Sequence, residues 1–142
     1  MTTTVDFEPK VREPQPQRRY SWRRLLLFGV FAVIGVGHFI VPESFVRIVP
    51  DWVPNARFAV FASGVAELAG AIGLLIPATR TLAGWCLIAL LIAVFPANIQ
   101  MLQLARHAHG SAGYVAALWI RLPFQPLLIW MLWLEVRRGR AR

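Results

Sequence analysis

Four long apolar runs dominate this chain, and they leave few folds open to it. They are Leu25–Val41, Phe58–Ile76, Thr81–Leu104 and Tyr114–Val136, of 17, 19, 24 and 23 residues. A helix needs about 20 apolar residues to cross the hydrocarbon of a bilayer. The first run is short, about 26 Å at 1.5 Å per residue, but Arg23 and Arg24 at its edge can snorkel to the headgroups. Helices of a soluble bundle carry a polar face at helical spacing, whereas these runs are apolar nearly all round. Apolar residues make up 57% of the 142 positions, and the excess lies in these blocks. The expected fold is all-α: an up-and-down four-helix transmembrane bundle in a lipid bilayer, with helices at about 22–41, 57–77, 80–104 and 114–136.

The segments between the runs complete this domain, residues 22–136. VPESFVRIVPDWVPNAR follows the first run, and its Phe45, Ile48, Val49 and Trp52 recur at i, i+3, i+4 and i+7. Pro50 limits any helix there to a turn or two, so the segment reads as a short interfacial piece. Pro77–Arg80 is a tight turn, and 105–113 is a polar loop with His107 and His109. That alternate pair reads as a solvated loop rather than a metal site. Residues 1–21 read as a disordered basic tail with too little apolar surface to dock, and 137–142 as a basic C-terminal tail. No small-residue cleavage pattern follows the first run, so it reads as an uncleaved helix and not a signal peptide.

The net charge of +8 raises nucleic acid as a partner. The basic residues flank the membrane runs instead of interleaving with aromatics, so nucleic-acid binding is set aside. With both termini cytoplasmic, that side holds Lys10, Arg12, Arg18, Arg19, Arg23, Arg24, Arg80, Arg137, Arg138, Arg140 and Arg142, against Arg47, Arg57 and Arg106 opposite. This asymmetry, together with an even number of spans, places the protein in the cytoplasmic membrane with N- and C-termini inside. Cys86 is the lone cysteine, which removes intrachain disulfides, dithiol relays and cysteine-ligated clusters. Trp22, Trp85, Trp130 and Trp133 at one set of helix ends, and Trp52, Tyr114 and Trp119 at the other, form aromatic belts.

Each run also carries polar residues that are costly in hydrocarbon: His38, Glu67, Asn98, and Arg121 with Gln125. Such residues are functional-site candidates by default. Counted along the helices, Glu67 lies about 15 Å inward from Arg57, Arg121 about 10 Å from Tyr114, and Gln125 about 16 Å. His38 and Asn98 lie about 5–10 Å from the outer ends of theirs. All five fall in the outer half, and nothing comparable marks the inner half. Pro96, Pro123 and Pro126 are expected to break the helices there, freeing the carbonyls of Ile92, Trp119 and Leu122. Glu67 and Arg121 are expected to form an ion pair between neighbouring helices, and His38 to donate a hydrogen bond to Glu67. Gly64, Ala66, Gly70 and Gly73 read as close-packing positions that also leave room for a homodimer.

These residues lie in stretches that resemble the DoxX-like family of small four-helix membrane proteins. The stretches are GxxHFxxP at Gly35–Pro42, SGxxExxGxxGLLIPxTR at Ser63–Arg80, FPANIxM at Phe95–Met101 and RLPxQ at Arg121–Gln125, which together reach from the first helix to the last. The resemblance implies a membrane protein that, in some members, accompanies quinone-linked sulfur oxidation or oxidative-stress assemblies. Its motif residues fall on His38, Glu67, Asn98, Arg121 and Gln125. One expectation is therefore a non-catalytic subunit or partner of redox membrane proteins, with an outward-facing polar pocket that admits a quinone as cofactor. Quinone carbonyls accept hydrogen bonds, and His38, Asn98, Gln125 and Arg121 supply donors beside the Glu67 counter-charge. The alternative is a small transporter or intramembrane enzyme that uses His38 and Glu67 as an acid–base pair. A purely structural role for the polar network stays open beside both.

Overall fold

The computed structural model describes residues 21–108 and 111–140. The chain forms α1 (Trp22–Ile40), α2 (Pro42–Val46), α3 (Ala56–Leu75), α4 (Arg80–His107) and α5 (Ala112–Arg140), with no strand among the described residues. Helices α1, α3, α4 and α5 are each long and apolar enough to cross a bilayer. The protein is an all-α four-helix bundle and an integral membrane protein. The expected tail 1–21 lies outside the described residues except for Ser21, and the expected C-terminal tail begins inside α5, which continues to Arg140.

Local chemistry sets where each helix starts and stops. Ser21 caps α1, its hydroxyl accepting from the Arg24 N–H at 3.4 Å, and Asn55 caps α3 by accepting from the Phe58 N–H at 2.9 Å. Pro42 starts α2, where its missing N–H costs nothing. At the far end of α3 the carbonyls that run out of helical donors are met by the turn itself. The Thr79 hydroxyl donates to the Gly73 carbonyl at 3.0 Å, and Arg80 Nε donates to the Leu74 carbonyl at 3.3 Å. A buried arginine at a helix C-terminus also complements the helix dipole.

The internal prolines do not break the helices. Pro96 lies inside α4, and Pro123 and Pro126 lie inside α5. Hydrocarbon explains the difference, because it offers a broken helix no water for its freed groups, so the ladder is kept on both sides of each proline.

Each long helix packs on the next in sequence, and α1 meets α5 to close the ring more lightly; among the described residues the diagonal pairs α1–α4 and α3–α5 make no close backbone approach. One end of the bundle, here the terminal end, gathers the start of α1, the α3–α4 turn and the end of α5. The opposite, loop end carries α2 and the α4–α5 connection. The main core joins all four helices toward the terminal end through Leu27, Phe31, Ala71, Leu74, Leu87, Leu91 and Leu132. Toward the loop end the second core, Leu102, Ala105 and Leu118, joins α4 and α5 alone.

Close helix approach rests on glycine at several places. A Cβ on Gly64 would lie 2.8 Å from the His38 Cβ and 3.1 Å from the Gly35 carbonyl, and one on Gly70 would lie 2.5 Å from Leu87. Gly73 likewise faces Ala83 of α4, whereas Ala66 is exposed on the outside of α3. The three glycines are thus consumed within the subunit, and they carry no argument for a second copy.

Gly64→Val is expected to lower the thermal stability of the detergent-solubilised protein by about 1–3 kcal/mol, the cost of overpacking. Ala66→Val, on the same helix but facing out, should stay within about 0.5 kcal/mol. Differential scanning fluorimetry of the two variants measures both.

Candidate functional site

The five polar residues of the loop-end half resolve into separate groups. His38 on α1 and Glu67 on α3 face each other, His38 Nδ1 lying 3.3 Å from Glu67 Oε2, and both side chains are less than a tenth exposed. The close approach is the one that Gly64 permits. His38 Nδ1 also lies 2.9 Å from the Ile34 carbonyl one turn back. A carbonyl only accepts, so the Nδ1–H donates there, and the expected hydrogen bond from His38 to Glu67 is not made. Glu67 Oε2 is fully buried and receives no hydrogen bond. Phe45 of α2 stacks on the imidazole with centroids 4.0 Å apart and planes 23° from parallel. An exposed Glu43–Arg57 ion pair fastens α2 to the start of α3, so the short interfacial helix is held over His38.

On the other wing, Asn98 of α4 and Gln125 of α5 form a second unit. Asn98 Nδ2 donates to Gln125 Oε1 at 2.8 Å, and Gln125 Nε2 donates to the Leu91 carbonyl, in the turn of α4 just before Pro96. This amide pair ties α4 to α5 at the place where proline interrupts the backbone ladder.

Arg121 is exposed and reaches Met101 Sδ at 3.8 Å. The expected ion pair with Glu67 is absent among the described residues, because the two residues stand on α3 and α5, which are diagonal. A groove of about 320 Å³ opens nearby between the α2–α3 connection and α4, lined by Pro50, Asp51, Trp52, Pro96, Ile99, Gln100 and Gln103. It lies beside the five residues and includes none of them.

The terminal-end half is not apolar throughout, contrary to the sequence reading. Glu135 on α5 is 1% exposed. Its Oε2 accepts from Arg24 Nε at 3.3 Å and from a terminal nitrogen of the same guanidinium at 3.0 Å. Its Oε1 accepts from the Ser21 hydroxyl at 3.2 Å and lies 3.8 Å from Arg23 Nε. Arg24 was read as a snorkelling edge residue, yet it is buried. A usable signal was present. Glu135 is an acid inside the last run, and α1 begins at the depth where α5 ends, so Arg24 and Glu135 are matched in height.

A protein family described as a domain of unknown function (DUF8561) matches residues 27–135. The chain belongs to the DUF8561 family. The match runs from the first core leucine to Glu135 and takes in all five loop-end polar residues. No curated protein and no solved structure matches the chain.

Double-mutant cycles should separate the two pairs. Glu135→Gln and Arg24→Met are each expected to cost about 3–5 kcal/mol, the scale for leaving one charge of a buried pair alone. Glu135→Gln should be the worse, since Arg24, Ser21 and Arg23 all lose a contact with the carboxylate, and the double variant should recover part of the loss. Glu67→Gln and Arg121→Met should add nearly independently, as residues without a shared contact do.

Proposed function

We propose that this protein is a non-catalytic subunit or partner of a quinone-linked redox assembly of the cytoplasmic membrane. In this reading both termini are cytoplasmic and the loop end faces outward, as the distribution of basic residues supports. The loop-end polar residues hold a small polar head group, of which a quinone is the class implied by the DoxX-like motifs. The observation that carries the proposal is the buried, hydrogen-bond-free Glu67 Oε2 beside His38. A carboxylate oxygen removed from water and left without a donor is costly, on the order of 1–3 kcal/mol or more. A bound molecule that supplies a donor would remove that cost. The stacked Phe45 marks the imidazole face as one that takes a flat ring.

The ligand-free donors are fewer than the sequence suggested. His38 Nδ1–H is committed to Ile34, and Asn98 and Gln125 are engaged with each other and with Leu91. Arg121 keeps most of its donors.

A second reading, an intramembrane acid–base enzyme or small transporter, draws on the same 3.3 Å His38–Glu67 approach. Transport by one subunit is opposed by the core between the two polar layers, where Leu27, Leu74, Leu87 and Leu132 are wholly buried. Among the described residues, apolar side chains of that core lie between Glu67 and Glu135.

Mass spectrometry of the protein purified in mild detergent should find a stoichiometric quinol or its oxidised quinone with the wild type and little with Glu67→Leu or His38→Leu. A clean protein that also binds no added short-chain quinone or quinol would sink the proposal. For sidedness, single cysteines at Ser111 and Arg138 in a Cys86→Ala background should react differently with an impermeant thiol reagent in intact cells. Labelling at Ser111 alone is expected; labelling at Arg138 alone would reverse the orientation.

A further inference from the structure

We infer that the His38–Glu67 site selects a ligand that donates hydrogen bonds, a reduced quinol with its hydroxyl groups, over the oxidised quinone, which only accepts. The inference rests on the preceding reading that a quinone-type head group binds here, and it names the redox form. A site built for the oxidised form would present donors to two carbonyl oxygens. The α1–α3 wing presents acceptors instead. Glu67 Oε2 is buried and lacks any donor. The imidazole spends its Nδ1–H on the Ile34 carbonyl at 2.9 Å, and in that tautomer Nε2 is an acceptor too. These two groups belong to side chains 3.3 Å apart at closest. A quinol hydroxyl donates to the carboxylate oxygen, whereas a quinone carbonyl placed there meets a second acceptor and is repelled.

Shape supports the same occupant. Phe45 lies flat on His38 with centroids 4.0 Å apart, and Phe39 and Phe61 sit close by with centroids 5.7 Å apart. An aromatic ring entering the site therefore has ring faces to stack on and takes over or extends the contact that Phe45 makes. Arg121, across the bundle on α5, does not compete for Glu67, since it makes no ion pair with it.

Three probes of one shape separate the possibilities: a short-chain benzoquinol, the matching benzoquinone, and the dimethyl ether of the quinol, which keeps the ring and loses both hydroxyl donors. Dissociation constants are read from the rise in melting temperature with ligand concentration, under anaerobic conditions for the quinol. The quinol is expected to bind at least about tenfold more tightly than the quinone, the scale of one hydrogen bond to a buried charged group. The dimethyl ether should bind no better than the quinone. Glu67→Gln, which replaces one carboxylate oxygen by a donor, should erase or reverse the preference. Quinone binding as tight as quinol binding in the wild type overturns the inference while leaving the site reading intact. A preference that survives Glu67→Gln overturns the assignment to Glu67. Binding of none of the three overturns the underlying reading and the inference with it. The comparison among the three ligands on wild-type protein needs no variant to fold.

Discussion

A charged side chain inside hydrocarbon has to find its partner within the protein, and the Arg24–Glu135 pair is where this bundle meets that demand most fully. Both oxygens of Glu135 are engaged, by Arg24, Ser21 and the approach of Arg23. The pair joins the first long helix to the last, whose other mutual contact is light. It therefore closes the ring of helices at one end. The main core sits next to it and links all four helices, with Leu27, Leu74, Leu87 and Leu132 wholly buried. Closure at the terminal end lets the loop end be less tightly joined.

That division explains why the two polar layers differ in character. At the terminal end each donor and acceptor around Glu135 is matched, as expected of groups that hold helices together. At the loop end the same residue type, Glu67, is also buried but keeps an oxygen without a hydrogen bond. Its helix is drawn against α1 by Gly64, and α2 folds over the result through Phe45 and the Glu43–Arg57 pair. Buried polar groups are nearly always satisfied, so an exception invites a functional account. The unequal treatment of two glutamates in one bundle is what separates a fastening from a candidate site.

Much of the fold was legible because the membrane imposes simple rules on a sequence. Run length reveals spans, and proline and glycine mark the turns, so α1, α3, α4 and α5 were expected within a few residues of where they lie. A short helix between the first two long ones was expected, but α2 covers only Pro42–Val46, so of the spaced residues Phe45, Ile48, Val49 and Trp52 it contains Phe45 alone. Other features were misread for physical reasons. Pro96, Pro123 and Pro126 were expected to interrupt helices, but a helix in hydrocarbon has no better alternative than to continue past them. Arg24 was taken for a snorkelling residue because depth alone does not say whether a side chain turns outward to headgroups or inward to a carboxylate. Ala66 was grouped with its glycine neighbours, although it points away from every partner helix.

The sequence by itself determined that this is a four-span membrane protein and that His38, Glu67, Asn98, Arg121 and Gln125 share one half of its depth. Both follow from one-dimensional quantities, the length of apolar runs and the rise per residue along a helix. Which of those residues meet was decided only by the tertiary structure, because meeting depends on the angular position of each side chain and on which helices are adjacent. The ring order places α3 diagonal to α5, so Glu67 faces His38 and not Arg121, while Asn98 faces Gln125. Depth is additive along a chain and can be counted; neighbourhood is a property of packing and has to be seen.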